Sequence, residues 1–173
     1  MKKKFVLLSS IIASIALVLI IVFTVKTLNS VEYATFKLNM AEKSKDSVKA
    51  LSFYNVEKIA DAQIAKSTEE MASSDNPFAG WGIQLMTSMR PTLISKYEAD
   101  IKAQYEQESE LANVNNVKIL FCLLAHKPIS ADKVTYTYYG PNKVKQTYTT
   151  SGSNYTYVWE KINKKWQIVN LEF

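Results

Sequence analysis

Residues 5–25, Phe5 through Val25, carry no charged side chain, and this run constrains the chain more than any other feature. At about 1.5 Å of rise per residue the run makes roughly 31 Å of helix, the thickness of a bilayer's hydrocarbon core. Lipid offers no partner to backbone N–H and C=O groups, so a spanning segment of this length is helical; Ser9, Ser10 and Ser14 can bond back to helix carbonyls. The competing reading is a cleaved signal peptide, which has an apolar stretch of about 7–15 residues followed by a small-x-small site. Here Ala13-Ser14-Ile15-Ala16 lies inside the apolar run, and Lys26-Thr27-Leu28-Asn29-Ser30 after it is a poor cleavage sequence. No Cys closes the run as a lipoprotein signal would. The expectation is a retained signal-anchor: a basic flank at 1–4, a transmembrane helix at 5–25 and a domain at 26–173. Lys2, Lys3 and Lys4 precede the span and only Lys26 follows it closely, so the positive-inside bias puts the N-terminus in the cytoplasm and the domain outside.

The formal charge of +5 comes largely from that flank. Three of the 21 basic residues are Lys2–Lys4; the remaining 18 face 16 acidic residues. A nucleic-acid partner calls for a concentrated basic face, and the domain has none in its sequence. Its length suits one domain with a core, and 12% aromatic residues argue against disorder.

The domain divides into a helical half, about 30–110, and a β half, about 132–173. Ser30 is positioned to cap a helix carrying Tyr33, Phe36 and Met40 at spacings of three and four. Lys43–Ser47 reads as a turn, with Asp46 or Ser47 capping a short helix through Phe53. A helix over 56–72 presents Val56, Ala60, Ile64, Ser67 and Met71 as its apolar or small stripe. Ser73–Pro77 ends it, Asn76 caps the next helix and Pro77 takes its first position. Phe78, Trp81, Leu85 and Met89 share one face of that helix; Pro91 kinks or restarts it, and Ile94, Tyr97, Ile101 and Tyr105 continue to about Glu108. Asn113–Asn116 is a break. Residues 117–125 fit a buried strand or a short buried helix, with a slight lean to helix.

Beyond that the pattern alternates. Val134–Tyr139, Val144–Thr150, Tyr155–Ile162 and Trp166–Phe173 read as strands separated by Gly140-Pro141-Asn142, Ser151–Asn154 and Asn163-Lys164 turns. Short connections make neighbouring strands antiparallel, so a four-stranded meander is expected. Trp166, Ile168 and Asn170 share one face of the last strand; Gln167, Val169, Leu171 and Phe173 share the other. Apolar residues on both faces suggest helices on one side and aromatics kept on the other. The fold class is α+β: an N-terminal transmembrane helix, then a helical half packed on a C-terminal antiparallel sheet.

Chemistry-bearing patterns are scarce. One His and one Cys exclude the common zinc sets, and no calcium loop, nucleophile elbow or phosphate-cradling glycine loop occurs. His126, the sole imidazole, sits in a loop beside Lys127-Pro128, and Cys122 lies in an apolar run as a small hydrophobe. Carboxylate groups such as Glu69-Glu70 and Glu106/Glu108/Glu110 read as solvated helix faces. No metal, cofactor or catalytic residue is expected. Two features are candidates for ligand or partner contact. One is Asn76-Pro77-Phe78-Ala79-Gly80-Trp81-Gly82, a helix start with Phe78 and Trp81 as anchors and glycines that permit close approach. The other is the aromatic sheet, above all Tyr136, Tyr138, Tyr157 and Trp159, read as cross-strand packing or as an exposed stacking row.

The order of a membrane span, a helix with Tyr33, Phe36, Leu38 and Ala41, the Lys45-Asp46 pair, the Tyr54-Asn55-Val56 helix opening, the Asp75–Ala79 segment and Trp166 near the end resembles the uncharacterised bacterial family DUF2939. The likeness covers most of residues 30–173, its specific element is Asn76–Ala79, and Met-rich and Tyr-rich stretches stand where that family has small apolar residues. The resemblance implies a bacterial envelope protein, sited in the inner membrane, and transfers no functional residues. The expected function is therefore a non-enzymatic binding or interaction domain held at the membrane, its partner an envelope protein. The helices-then-sheet layout also resembles cystatin-like and NTF2-like cones, which makes a small-ligand pocket the alternative.

Overall fold

Helix α1 (Lys2–Leu28) stops where Asn29 and Ser30 redirect the chain by 58° into α2 (Val31–Lys43). The computed structural model describes residues 2–73, 78–107, 113–117, 119, 133–150 and 153–172, with side chains from Ala13 onward. Among these residues follow α3 (Ser47–Leu51), α4 (Val56–Ala72), α5 (Ala79–Ser88) and α6 (Arg90–Glu106). Then come β1 (Lys133–Tyr138), β2 (Lys143–Thr150), β3 (Ser153–Ile162) and β4 (Lys165–Glu172), an antiparallel meander in that order. The α+β class, helices first and sheet last, is as the sequence pattern indicates.

Local chemistry explains the helix starts. The Ser30 side chain accepts from Tyr33 N at 3.2 Å, Asp46 from Lys49 N at 2.9 Å and Asn55 from Lys58 N at 3.1 Å. Each satisfies an orphan donor of a first turn, worth about 1 kcal/mol. Pro91 sits in the first turn of α6, where its missing N–H is harmless, so the helical run restarts at Arg90. Helix α5 opens at Ala79 with Phe78 in the cap position and no side-chain cap bond. The expected Asn76 cap and Pro77 lie outside the described residues, as do Cys122, His126 and the turn at 151–152. Val117 and Ile119 are helical, and the rest of 118–125 is likewise outside.

The sheet's inner face packs against the helices. Val31, Leu38 and Ala41 of α2, Ala50 of α3, Val56 and Ile59 of α4, and Ile101 and Tyr105 of α6 enclose Val144, Trp159 and Ile168. Three expectations shift. The buried face of α2 is Val31, Ala34, Thr35, Leu38 and Ala41; Tyr33, Phe36 and Met40 form a flanking, half-buried face, with Tyr33 stacked on Phe36 at 5.9 Å. Ile59 joins Val56 and Ala60 in the α4 stripe, whereas Ile64, Ser67 and Met71 are half-buried. The aromatics lie on the helix-packed side of the sheet rather than on its outer side. The register places Tyr136, Gln146, Tyr157 and Leu171 in one cross-strand row and Tyr138, Val144, Trp159 and Ile168 in the next. Thr147, Lys145 and Glu160 lie on the other face together with the buried Val158.

A bulge explains why β4 defies simple alternation. Val158 pairs Asn170 and Trp159 pairs Ile168, leaving Val169 as the extra residue. After it the faces exchange: Trp166, Ile168 and Leu171 all pack on the core, and Asn170 does not follow Ile168 as strict alternation requires. The edge of β4 is covered locally by the chain before α4. Asn55 N donates to Ile168 O at 2.8 Å and Ile168 N to Phe53 O at 2.7 Å. This removes unpaired groups that an edge strand otherwise presents.

Gln146 holds sheet and helices in register. Wholly buried, its Oε1 accepts from Trp159 Nε1 at 2.8 Å and from Thr35 Oγ1 at 3.5 Å, while its Nε2 donates to the Tyr136 hydroxyl at 2.8 Å. One amide thus ties β2 to β1, β3 and α2. Replacing Gln146 by Leu strips partners from buried polar groups and is expected to destabilise by about 1–3 kcal/mol. The double change Gln146→Leu/Trp159→Phe removes the orphaned indole donor as well, so urea unfolding of the pair is expected to show less than additive loss.

Candidate functional site

The residues singled out in the sequence do not converge. Trp159 is 0% exposed, and Tyr136 and Tyr157 are packed against the core. These three are interior residues, since the meander turns its aromatic face inward. Phe78, Trp81 and Tyr138 are exposed at 71%, 67% and 52%. Tyr138 stands at the end of β1, and Phe78 and Trp81 stand on α5, which packs on α4 and α6.

Helix α5 shows why its apolar stripe stays outside. Gly82 faces α4 so closely that a Cβ there would lie 2.9 Å from Met71 Sδ. That seats the helix by its glycine side and leaves Phe78, Trp81, Leu85 and Met89 exposed together. Gly80 meets nothing within 4 Å, so of the two α5 glycines it is Gly82 that stands close to a neighbour, the flexible end of Met71. Arg90 locks the following turn, its Nε and Nη2 bonding the two Asp61 oxygens at 2.6 and 3.1 Å.

The inner face holds a phenol cluster. Tyr54 and Tyr105 hydroxyls are 2.8 Å apart, and the Tyr148 and Tyr157 rings meet edge to face at 5.6 Å. Burial raises the pKa of Tyr54, Tyr105, Tyr136, Tyr148 and Tyr157, with neighbouring phenols and the Glu32 and Glu42 carboxylates adding to it. The rings pack on one another across strands and helices, which is what a core needs.

Among the described residues, two open grooves flank the sheet. One, of about 620 Å³, lies between α4 and the outer face and is rich in charge, but those charges pair. Glu160 takes Lys58 at 2.6 Å and Lys143 at 3.3 Å, and Lys145 meets Glu172 at 2.7 Å. The Lys58 hydrogen bond leads in holding the Glu160 carboxyl below its ordinary value.

The other groove, of about 810 Å³, lies where α1 meets the domain. Val25, Lys26 and Asn29 form one wall, Glu32 and Tyr138 another, and Pro141, Lys161, Lys164 and Trp166 the rest. Trp166 Nε1 donates to Asn29 O at 2.8 Å, and Lys161 Nζ reaches the same carbonyl at 3.4 Å. This carbonyl lies just past the end of α1, where acceptors lack helical partners and cations are favoured. The Glu32 carboxylate, in the first turn of α2, accepts from the Tyr138 hydroxyl. Nothing in the spacing of the sequence signalled this groove, since Asn29 and Trp166, bonded across it, stand 137 positions apart.

Among the described residues no group of three or more His, Cys, Asp or Glu side chains is placed to hold a metal ion. Comparison with protein-family models, curated proteins and solved structures finds no match.

Two measurements follow from these positions. Trp81→Ala is expected to change stability by less than about 0.5 kcal/mol, whereas Trp159→Ala is expected to lose about 3–5 kcal/mol; chemical denaturation of both variants checks the contrast. The raised phenol pKa values mean that the folded chain binds more protons than the unfolded chain at alkaline pH. Their contribution is complete below about pH 10, the unfolded value, and is lost as pH rises above it. Absorbance at 295 nm is expected to show these phenols ionising together with loss of the CD signal, not before it.

Proposed function

We propose that the chain is a single-pass envelope protein of the bacterial inner membrane, with α1 as a retained signal-anchor and its N-terminus in the cytoplasm. The domain faces the periplasm or the cell exterior and acts as a non-enzymatic interaction module. One observation carries the reading. From Ile15 to Val25 the large apolar side chains of α1 are 53–68% exposed, with no face turned to the domain. A helix that is apolar all round and leaves its own domain needs an apolar solvent. By length and composition this N-terminal region suits a membrane span or a signal sequence.

From Ala13 onward no single helix is long and apolar enough to cross a membrane; Ala13–Leu28 with Val31–Lys43 would be, across the 58° bend. The buried face of α2 in the domain core argues that α1 alone enters lipid. Over its full 27 residues α1 reaches roughly 40 Å, ample for a bilayer. Packing of the inner-face aromatics favours an interaction module over an enclosed small-ligand pocket, and Phe78 and Trp81 on the α5 stripe are exposed aromatics that this module can use.

In cells, the full chain is expected to resist carbonate extraction and yield to detergent. A reporter active only outside the cytoplasm is expected to work when fused after Phe173. A stable but silent fusion would reverse the orientation, and release by carbonate would end the anchor reading.

A further inference from the structure

We infer that the groove between the end of α1 and the sheet binds the phosphate headgroup of an anionic phospholipid in the anchoring bilayer. This rests on the anchored reading of α1. Val25, the last residue of the uncharged run, and Lys26 form one wall. With α1 in lipid, the groove therefore opens at headgroup level. In an antiparallel meander the β1–β2 and β3–β4 turns lie at the same end of the sheet, and both contribute here, through Pro141 and Lys164. That end of the sheet is thus held toward the membrane by the Trp166–Asn29 bond.

The lining matches a lipid headgroup in charge and in character. Lys26, Lys161 and Lys164 stand against one carboxylate, Glu32, so the groove is positive overall. Glu32 is buried and its carboxylate already accepts from the Tyr138 hydroxyl. Tyr138 and Trp166 supply the amphipathic rings that favour a membrane–water boundary, and lysine stems can lie along apolar surface while their ammonium groups meet phosphate. A volume of about 810 Å³ accommodates a glycerophosphate group. The continuous apolar flank of α1 that leads up to Val25, from Ile15 on, gives the acyl chains a surface to follow. A soluble phosphate would gain nothing from that flank, which is why the lipid is favoured as the source.

Native mass spectrometry of the full chain in a neutral detergent, with equal phosphatidylglycerol and phosphatidylcholine added, tests the assignment. Phosphatidylglycerol is expected to be retained roughly thirtyfold over phosphatidylcholine, as two lysines near a lipid surface imply. The double variant Lys26→Gln/Lys164→Asn is expected to bring the two lipids close to parity; Asn tolerates the positive φ of position 164. Removing the exposed Lys66 and Lys102 by Gln substitution is expected to leave the preference intact. Equal retention by the unaltered chain, or a preference that survives the double variant, overturns the site. Full displacement of the lipid by millimolar inorganic phosphate overturns the lipid as its source. The same spectra give the chain mass: a chain beginning beyond Val25 overturns the anchor and the site together, whereas an uncleaved chain without lipid preference overturns the site alone.

Discussion

The domain depends on a single buried amide. Gln146 is polar, wholly enclosed and surrounded by polar groups: an indole donor on β3 that it accepts from, a phenol on β1 that it donates to, and, at 3.5 Å, a hydroxyl on α2 that also bonds Val31 O. Buried polar groups are tolerated only when paired, so this network admits one register of β2 against its neighbours and one seating of α2 on the sheet. A slip of one residue would turn Gln146 outward and leave Trp159 without its acceptor. Around this point the packing of Ile59, Val144 and Ile168 supplies apolar burial, while the amide selects the arrangement in which that burial occurs.

The same register decides what the outside looks like. Because the row Tyr138, Val144, Trp159 and Ile168 faces the helices, the opposite face carries Lys and Glu side chains that neutralise one another in pairs around the buried Val158. Among the described residues, two runs of neighbouring apolar side chains stay exposed: Ile15 to Leu28 on α1 and the stripe on α5. The two differ in kind. On α1 apolar side chains surround the axis, whereas α5 is seated on α4 through Gly82 and exposes one side only.

Much of the architecture could be read from short-range chemistry. The Ser30 and Asp46 caps, the α4 limits, the restart at Pro91 and the four strands with their Gly140 and Asn163-Lys164 turns all follow from local rules. The sites were less legible. Phe78 and Trp81 had the spacing of a core stripe, and that spacing cannot reveal whether anything lies opposite it. Trp159, Tyr136 and Tyr157 alternate correctly as a strand face, but alternation does not say which face turns inward. On β4 the bulge at Val169 broke the alternation altogether, bringing Leu171 to the core side in place of Asn170.

What the sequence by itself determined is therefore local and one-dimensional: an uncharged run long enough for lipid, the order of helices and strands, and the turns between them. Caps, φ preferences and hydrophobic period act within a few residues, so a single chain suffices to read them. The tertiary structure alone decided which side of each amphipathic element is covered. It also brought Lys26 and Asn29, at the end of the apolar helix, against Lys161, Lys164 and Trp166 from the far end of the chain. Such meetings depend on how the sheet closes over the helices, and that closure is a property of the whole packed core rather than of any segment.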